Sequence, residues 1–141
     1  MSNLKSLVYV SSATHNLSQA KIDHLLLSAR GRNCKYSITG VLMYIGGNFM
    51  QCIEGTVENV ELIYETIKAD PLHHGLIQLL YHPIECRDFK GWEMAYCTKQ
   101  KIVTVAPYNQ EEILSNKLGT SSFKKTPSRI LLHSFWSSNK S

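Results

Sequence analysis

The 141-residue chain is 43% hydrophobic and 18% charged, a composition that suits one compact, self-associating domain needing no disulfides and excludes a disordered or fibrous chain. Its formal charge of +4 comes from 15 Lys and Arg against 11 Asp and Glu, but the basic residues stay scattered until Lys117, Lys124, Lys125 and Arg129, so nucleic acid is not an expected partner. Cys34, Cys52, Cys86 and Cys97 form no C-x-x-C pair and no zinc spacing, so no metal is expected; with no signal peptide and no apolar run of about 18 residues, the expected location is the cytoplasm, away from membranes.

Leu7 to Ser12 reads as a first strand with Leu7, Tyr9 and Ser11 on one face. Ser18 is an N-cap, after which Ile22, Leu25, Leu26 and Ala29 recur at helical spacing and carry a first helix to about Asn33. Two apolar runs, 37 to 45 and 48 to 54, flank Gly46-Gly47, which is a hairpin-turn signal. Gly55-Thr56 opens a second helix with Val57, Val60, Ile63, Tyr64 and Ile67 along one stripe, stopped at Asp70-Pro71. Leu76 to His82 reads as a fourth strand, Pro83 to Gly91 as a polar connection and Trp92 to Thr98 as a fifth strand.

The order β-α-β-β-α-β plus one strand predicts an α+β, ferredoxin-like fold with both helices on one sheet face. From Pro107 the pattern changes to two short helices, about Gln110 to Leu118 and Ser128 to Phe135. They are expected near the opposite face, where Val8, Val10, Met50 and Cys52 would otherwise meet water. The chain thus divides into a domain at 1–100 and a helical appendage at 101–141.

Gln51 is out of place in its buried-looking strand. Leaving its amide without partners in a core costs about 1–3 kcal/mol, so a neighbouring backbone group, a water or a ligand must answer it. Strand alternation puts Phe49, Gln51 and Ile53 on one face, and Tyr9 can share that face. Polar groups gather where the two helices finish, in Arg30-Gly31-Arg32-Asn33 and in Asp70-Pro71-Leu72-His73-His74. The pattern suggests a ligand slotted between the helices, with a flat apolar part near the sheet and a polar tail near the helix ends.

Several ordered pieces then resemble the BLUF family of flavin-binding blue-light sensors. They are Tyr9 on the first strand, Asn33 shortly before Ile38-Thr39-Gly40, Phe49-x-Gln51-x-x-Glu54-Gly55, Asp70-Pro71-x-His73-His74, and Arg87-x-Phe89-x-x-Trp92-x-Met94. Singly, Tyr9, Trp92 and Met94 read as core residues, His73-His74 as a helix C-terminal pair and Asp70-Pro71 as a helix stop. The resemblance lies in their order and spacing over about residues 5 to 98.

The resemblance implies a non-covalent flavin, FAD, between the two helices, and a light sensor rather than an enzyme. Tyr9 would give an electron and a proton to the excited flavin and recover them, leaving Gln51 rotated or tautomerised. A stronger hydrogen bond to the flavin would then shift absorption to the red. Asn33 would bond the polar edge of the ring, Leu25 and Phe49 would pack near it, and Asp70 and His73 would lie toward the ring edge and ribityl chain. Trp92 and Met94 would carry the change into the fifth strand.

The chain departs from the family at Ala29, Arg32 and Leu72, which puts Arg32 forward as the phosphate contact and leaves FMN or riboflavin as alternatives to FAD. The output would be contact with a downstream signalling protein or with another copy of the chain. The competing reading is a flavin-free ferredoxin-like interaction module, in which Gln51 and Tyr9 merely bond each other. A flavin enzyme ranks below both, because the chain has no nicotinamide fingerprint and no paired acid and base.

Overall fold

The computed structural model describes residues 3–15, 17–91, 95–98, 102–103 and 126–138. Its elements are β1 (Leu4–Ala13), α1 (Gln19–Lys35), β2 (Thr39–Ile45), β3 (Asn48–Thr56), α2 (Val57–Lys68), β4 (His73–Ile84), β5 (Ala95–Thr98), β6 (Ile102–Val103) and α3 (Pro127–Ser138). The sheet order is β4-β1-β3-β2-β5-β6. β1 lies antiparallel between β3 and β4, β2 is antiparallel to β3, and β5 joins β2 in parallel. The first four strands and two helices form the expected ferredoxin-like unit.

Local chemistry sets most boundaries. Ser18 accepts the Lys21 N–H at 3.2 Å and starts α1, and Thr56 accepts the Asn59 N–H at 3.4 Å and starts α2. Gly46 and Gly47 have φ of 61° and 82°, the left-handed pair that a two-residue hairpin turn requires. A Cβ on Gly40 would collide with the Cys52 carbonyl oxygen, so the β2–β3 pairing needs glycine there.

Two elements are longer or newer than expected. β4 runs from His73 to Ile84 because it pairs with β1 along nearly its whole length, from Ala13↔His73 to Leu4↔Ile84. Pro83 is tolerated inside it because β4 is the edge strand, whose outer N–H groups need no partner in the sheet. β6 is a two-residue strand paired with β5 that no sequence signal indicated. The described part of β5 begins at Ala95; Trp92 and Met94 lie outside the described residues, as does the expected helix at Gln110 to Leu118.

The sheet has a core on each side. On one, Leu7, Tyr9, Phe49 and Ile53 pack against Ile22 and Leu26 of α1 and Val60, Ile63 and Ile67 of α2. On the other, Val8, Val41, Met43, Met50 and Cys52 are closed over by Phe89 and by Leu132 of α3. The sheet face expected to need a C-terminal cover has one. Each such side chain contributes about 1.5–3 kcal/mol by leaving water, so the first core fixes both helices on one face and opens the space between them.

Candidate functional site

Three strands converge on one rung. Tyr9 of β1 is the register partner of Gln51 of β3, which is in turn the partner of Leu42 of β2. Register partners point to the same face, so the three side chains meet under the helices. Tyr9 is 3% exposed and Gln51 4%. The Tyr9 hydroxyl donates to Gln51 Oε1 at 2.5 Å, at the short end of the range for O–H···O bonds.

Above this rung lies a cleft with about 460 Å³ of unfilled space, its open mouth included. Leu25, Ala29 and Arg32 of α1 form one wall at helical spacing, while Leu42, Phe49 and Ile67 supply apolar floor and sides. Asp70, Leu72 and His73 close it near the end of α2.

Electrostatics single out Tyr9. Burial pushes its phenol well above the ordinary tyrosine range, the nearby Arg32 charge opposes that rise, and Tyr64 and Asp70 add to it. The phenol therefore stays protonated at any physiological pH. Its ring sits 6.1 Å from Tyr64 and 6.0 Å from His73, and Phe49 meets His73 edge-on at 6.0 Å.

His73 is tied on both sides. Its Nε2 lies 2.6 Å from the Ile67 carbonyl, which can only accept, and its Nδ1 lies 2.7 Å from Ser11 Oγ. In the neutral ring Nε2 carries the proton and Nδ1 accepts from the serine. His73 thus presents ring surface to the cleft and spends its nitrogens on the fold. Asp70 accepts the Leu72 N–H at 2.9 Å, an Asx turn that ends α2.

Of the residues expected from sequence, Tyr9, Leu25, Arg32, Phe49, Gln51, Asp70 and His73 are brought to this one cleft. Asn33 is not among its lining residues. It is fully buried and borders a separate cleft with Cys34, Cys86, Arg87 and Lys90. Asn33 continues the buried stripe Ile22, Leu26, Ala29, and Arg32 continues the cleft row from Leu25 and Ala29. Ala29, Leu42, Ile67 and Leu72 also line the cleft and were not expected as site residues. For Leu42 the signal was available, because a two-residue turn at Gly46-Gly47 forces Ile45↔Asn48 and hence Leu42↔Gln51.

The residues fit a flavin ring. Arg32 Nε is buried and has no hydrogen-bond partner among the described residues, a donor that a carbonyl-bearing ligand would satisfy. The Gln51 amide offers both a donor and an acceptor beside it, and the apolar walls suit a flat aromatic ring. Among the described residues no group of three or more His, Cys, Asp and Glu is placed to hold a metal. Cys34, Cys52 and Cys86 are free thiols, and no described helix is long and apolar enough to cross a membrane.

Comparison with known proteins agrees with the geometry. Residues 4–95 match the family model described as BLUF, sensors of blue light using FAD. The photoactivated adenylate cyclase subunit beta of Euglena longa is 31% identical over 115 residues, 81% of this chain but 13% of that protein. This chain therefore spans about an eighth of the length of that curated relative. The dark-state structure of BlrB, a BLUF protein, superposes with a TM-score of 0.67 at 33% identity, covering 70% of this chain and 74% of that one. Klebsiella pneumoniae BlrP1 with FMN and cyclic diGMP superposes with a TM-score of 0.76 at 26% identity, covering 95% of this chain and 34% of that one. With the site's residues in one cleft and the family matched over most of its length, the chain belongs to the BLUF family of blue-light sensors that use FAD.

Proposed function

We propose that this chain is a photoreceptor whose primary event is proton and electron donation by Tyr9, stored as a rearranged hydrogen bond of Gln51. The observation that carries the reading is the buried 2.5 Å bond from the Tyr9 hydroxyl to Gln51 Oε1 at the floor of the cleft. The bound flavin supplies a ring that absorbs blue light and is a strong oxidant when excited. Leu25, Arg32, Phe49, Gln51, Asp70 and His73 would hold it.

Tyr9 keeps its proton in the dark because burial makes phenolate unfavourable. That proton already lies on a hydrogen bond to Gln51 Oε1, so loss of an electron from the ring makes it transferable along a bond that exists. An amide has a donor end and an acceptor end. Turning it, or moving a proton within it, reverses which end faces Tyr9 and which faces the cleft without creating a buried charge. Arg32 adds a fixed positive charge to the same space and would hold a polar group of the ligand.

Outward transmission follows the rung. Leu42, the partner of Gln51, is also the parallel partner of Tyr96 in β5, which supports passage of the change into β5, the strand that follows Trp92 and Met94 in the sequence. We assign 1–100 as the photosensor and 101–141 as the appendage that reads it, the output being contact with a signalling protein or a second copy. The reaction is sensing, with no substrate turned over.

The flavin-free reading draws on the same bond, since Tyr9 and Gln51 satisfy each other. The buried Arg32 Nε counts against it. The deciding measurement is the absorption spectrum of the purified protein before and after blue illumination, for wild type, Tyr9→Phe and Gln51→Leu. Bound flavin in all three, with a dark-reversible red shift in wild type alone, is the expected result. A normal shift in either variant sinks the mechanism, and colourless protein that takes up no added flavin sinks the photoreceptor.

A further inference from the structure

A second polar cluster lies on the far side of the sheet, away from the cleft. Glu54 of β3 is fully buried. Its Oε2 accepts the Asp88 N–H at 2.6 Å, and its Oε1 accepts the Phe89 N–H at 3.1 Å and the Thr39 hydroxyl at 2.9 Å. Arg87 donates to Thr39 Oγ1 and to the Glu54 carbonyl, each at 2.9 Å. These bonds pin the turn after β4 onto the end of β3 and aim two neighbouring side chains. Phe89, fully buried, enters the apolar layer that Leu132 of α3 also fills. Asp88, 7% exposed, reaches the start of α3, where its Oδ2 accepts the Thr126 and Ser128 hydroxyls at 2.6 Å each.

A helix begins with unsatisfied N–H groups and partial positive charge. Thr126 precedes Pro127 at the first helical position, and its carbonyl accepts the Ile130 N–H at 3.0 Å. Asp88 thus places a carboxylate at the start of α3 from 38 residues earlier in the chain. Bonds of this kind, with an ionised acceptor, are the stronger class.

We infer that Asp88 is a latch that holds the C-terminal helix on the sheet, and that Glu54 is the positioning residue that sets it. With the latch closed, α3 covers the apolar face made by Val8, Met43, Met50 and Cys52; with it open, that face loses its cover. The latch operates whatever occupies the cleft. Its use as a readout of Gln51, three residues before Glu54 on the same strand, rests on the photoreceptor reading above.

The test is amide hydrogen exchange on the full chain in the dark, which does not depend on photochemistry. Asp88→Ala and the double variant Thr126→Ala, Ser128→Ala should each speed exchange over 127–138 by roughly ten- to a hundredfold and leave α1 and α2 unchanged. Asp88→Asn, which keeps an acceptor but not the charge, should fall between. Glu54→Gln should speed exchange over 127–138 and 86–89 together. Unchanged exchange over 127–138 in both Asp88→Ala and the double variant overturns the latch. So does an equal increase in α1 and α2, since the cluster would then be general core and not a fastening for α3.

Discussion

At the scale of single residues, the phenol that the proposed mechanism depends on should be visible in the alkaline stability of the fold. Burial raises the Tyr9 pKa above its ordinary value of 10.0. Above that value the unfolded chain releases the proton and the folded chain keeps it, so the folded state binds more protons. Stability contributed by Tyr9 is therefore complete below about pH 10 and falls as pH rises, by at most about 1.4 kcal/mol per pH unit. Tyr9→Phe has no such proton. The stability difference between wild type and Tyr9→Phe, from urea unfolding at about pH 9, 10 and 11, should shrink in that order; a constant difference would mean the phenol ionises in place. Arg32 gives a second prediction. Replacing it with Ala removes the guanidinium, whose Nε is buried, beside the cleft, and flavin should dissociate roughly ten- to a hundredfold more readily, read by equilibrium dialysis. Unchanged retention would show that other groups hold the ligand's polar side.

At the scale of elements, Thr56 ends β3 and caps α2, so one hydroxyl fixes where the strand carrying Gln51 stops and where the helix closing the cleft starts. Thr56→Ala should cost about 1 kcal/mol in equilibrium unfolding, and a loss near zero would mean water caps α2 equally well. What the sequence made legible was what local chemistry decides. The Ser18 cap, the Gly46-Gly47 turn, the helix opening at Gly55-Thr56 and the helical stripes placed β1 to β3, α1 and α2 near their observed positions. The full length of β4 and the existence of β6 depend on pairing with strands distant in sequence, and no local pattern encodes that. The site divides the same way. Leu25 and Arg32 sit on one helical row, and Phe49 and Gln51 alternate on one strand. Asn33 was assigned by likeness to a family motif, and its place on the buried stripe of α1 is a matter of helical phase that the motif does not state. The clasp from Asp88 to Thr126 and Ser128 joins a loop to a helix across the sheet, and neither segment announces the other.

At the scale of the molecule, one sheet is covered on its two faces by structures with different duties, a cleft under α1 and α2 and a lid formed by α3. A change at Gln51 has only the thickness of the sheet to cross before it meets the layer containing Leu132. If light weakens the hold on α3, linkage requires the converse: loosening α3 must favour the lit state over the dark state by the same factor. Leu132→Ala supplies that loosening. It empties a fully buried position and should lower stability by about 2–5 kcal/mol, while leaving the cleft, the bound flavin and the size of the red shift as they are, because Leu132 lies on the far face. The lit state, relieved of part of the work of displacing α3, should then return to the dark state more slowly. Coupling of the usual 1–3 kcal/mol corresponds to a change of about 5- to 150-fold, well within what absorption kinetics resolve. Dark recovery at the wild-type rate in a folded, flavin-loaded Leu132→Ala protein would mean that the two faces are independent and that the signal leaves by β5 alone.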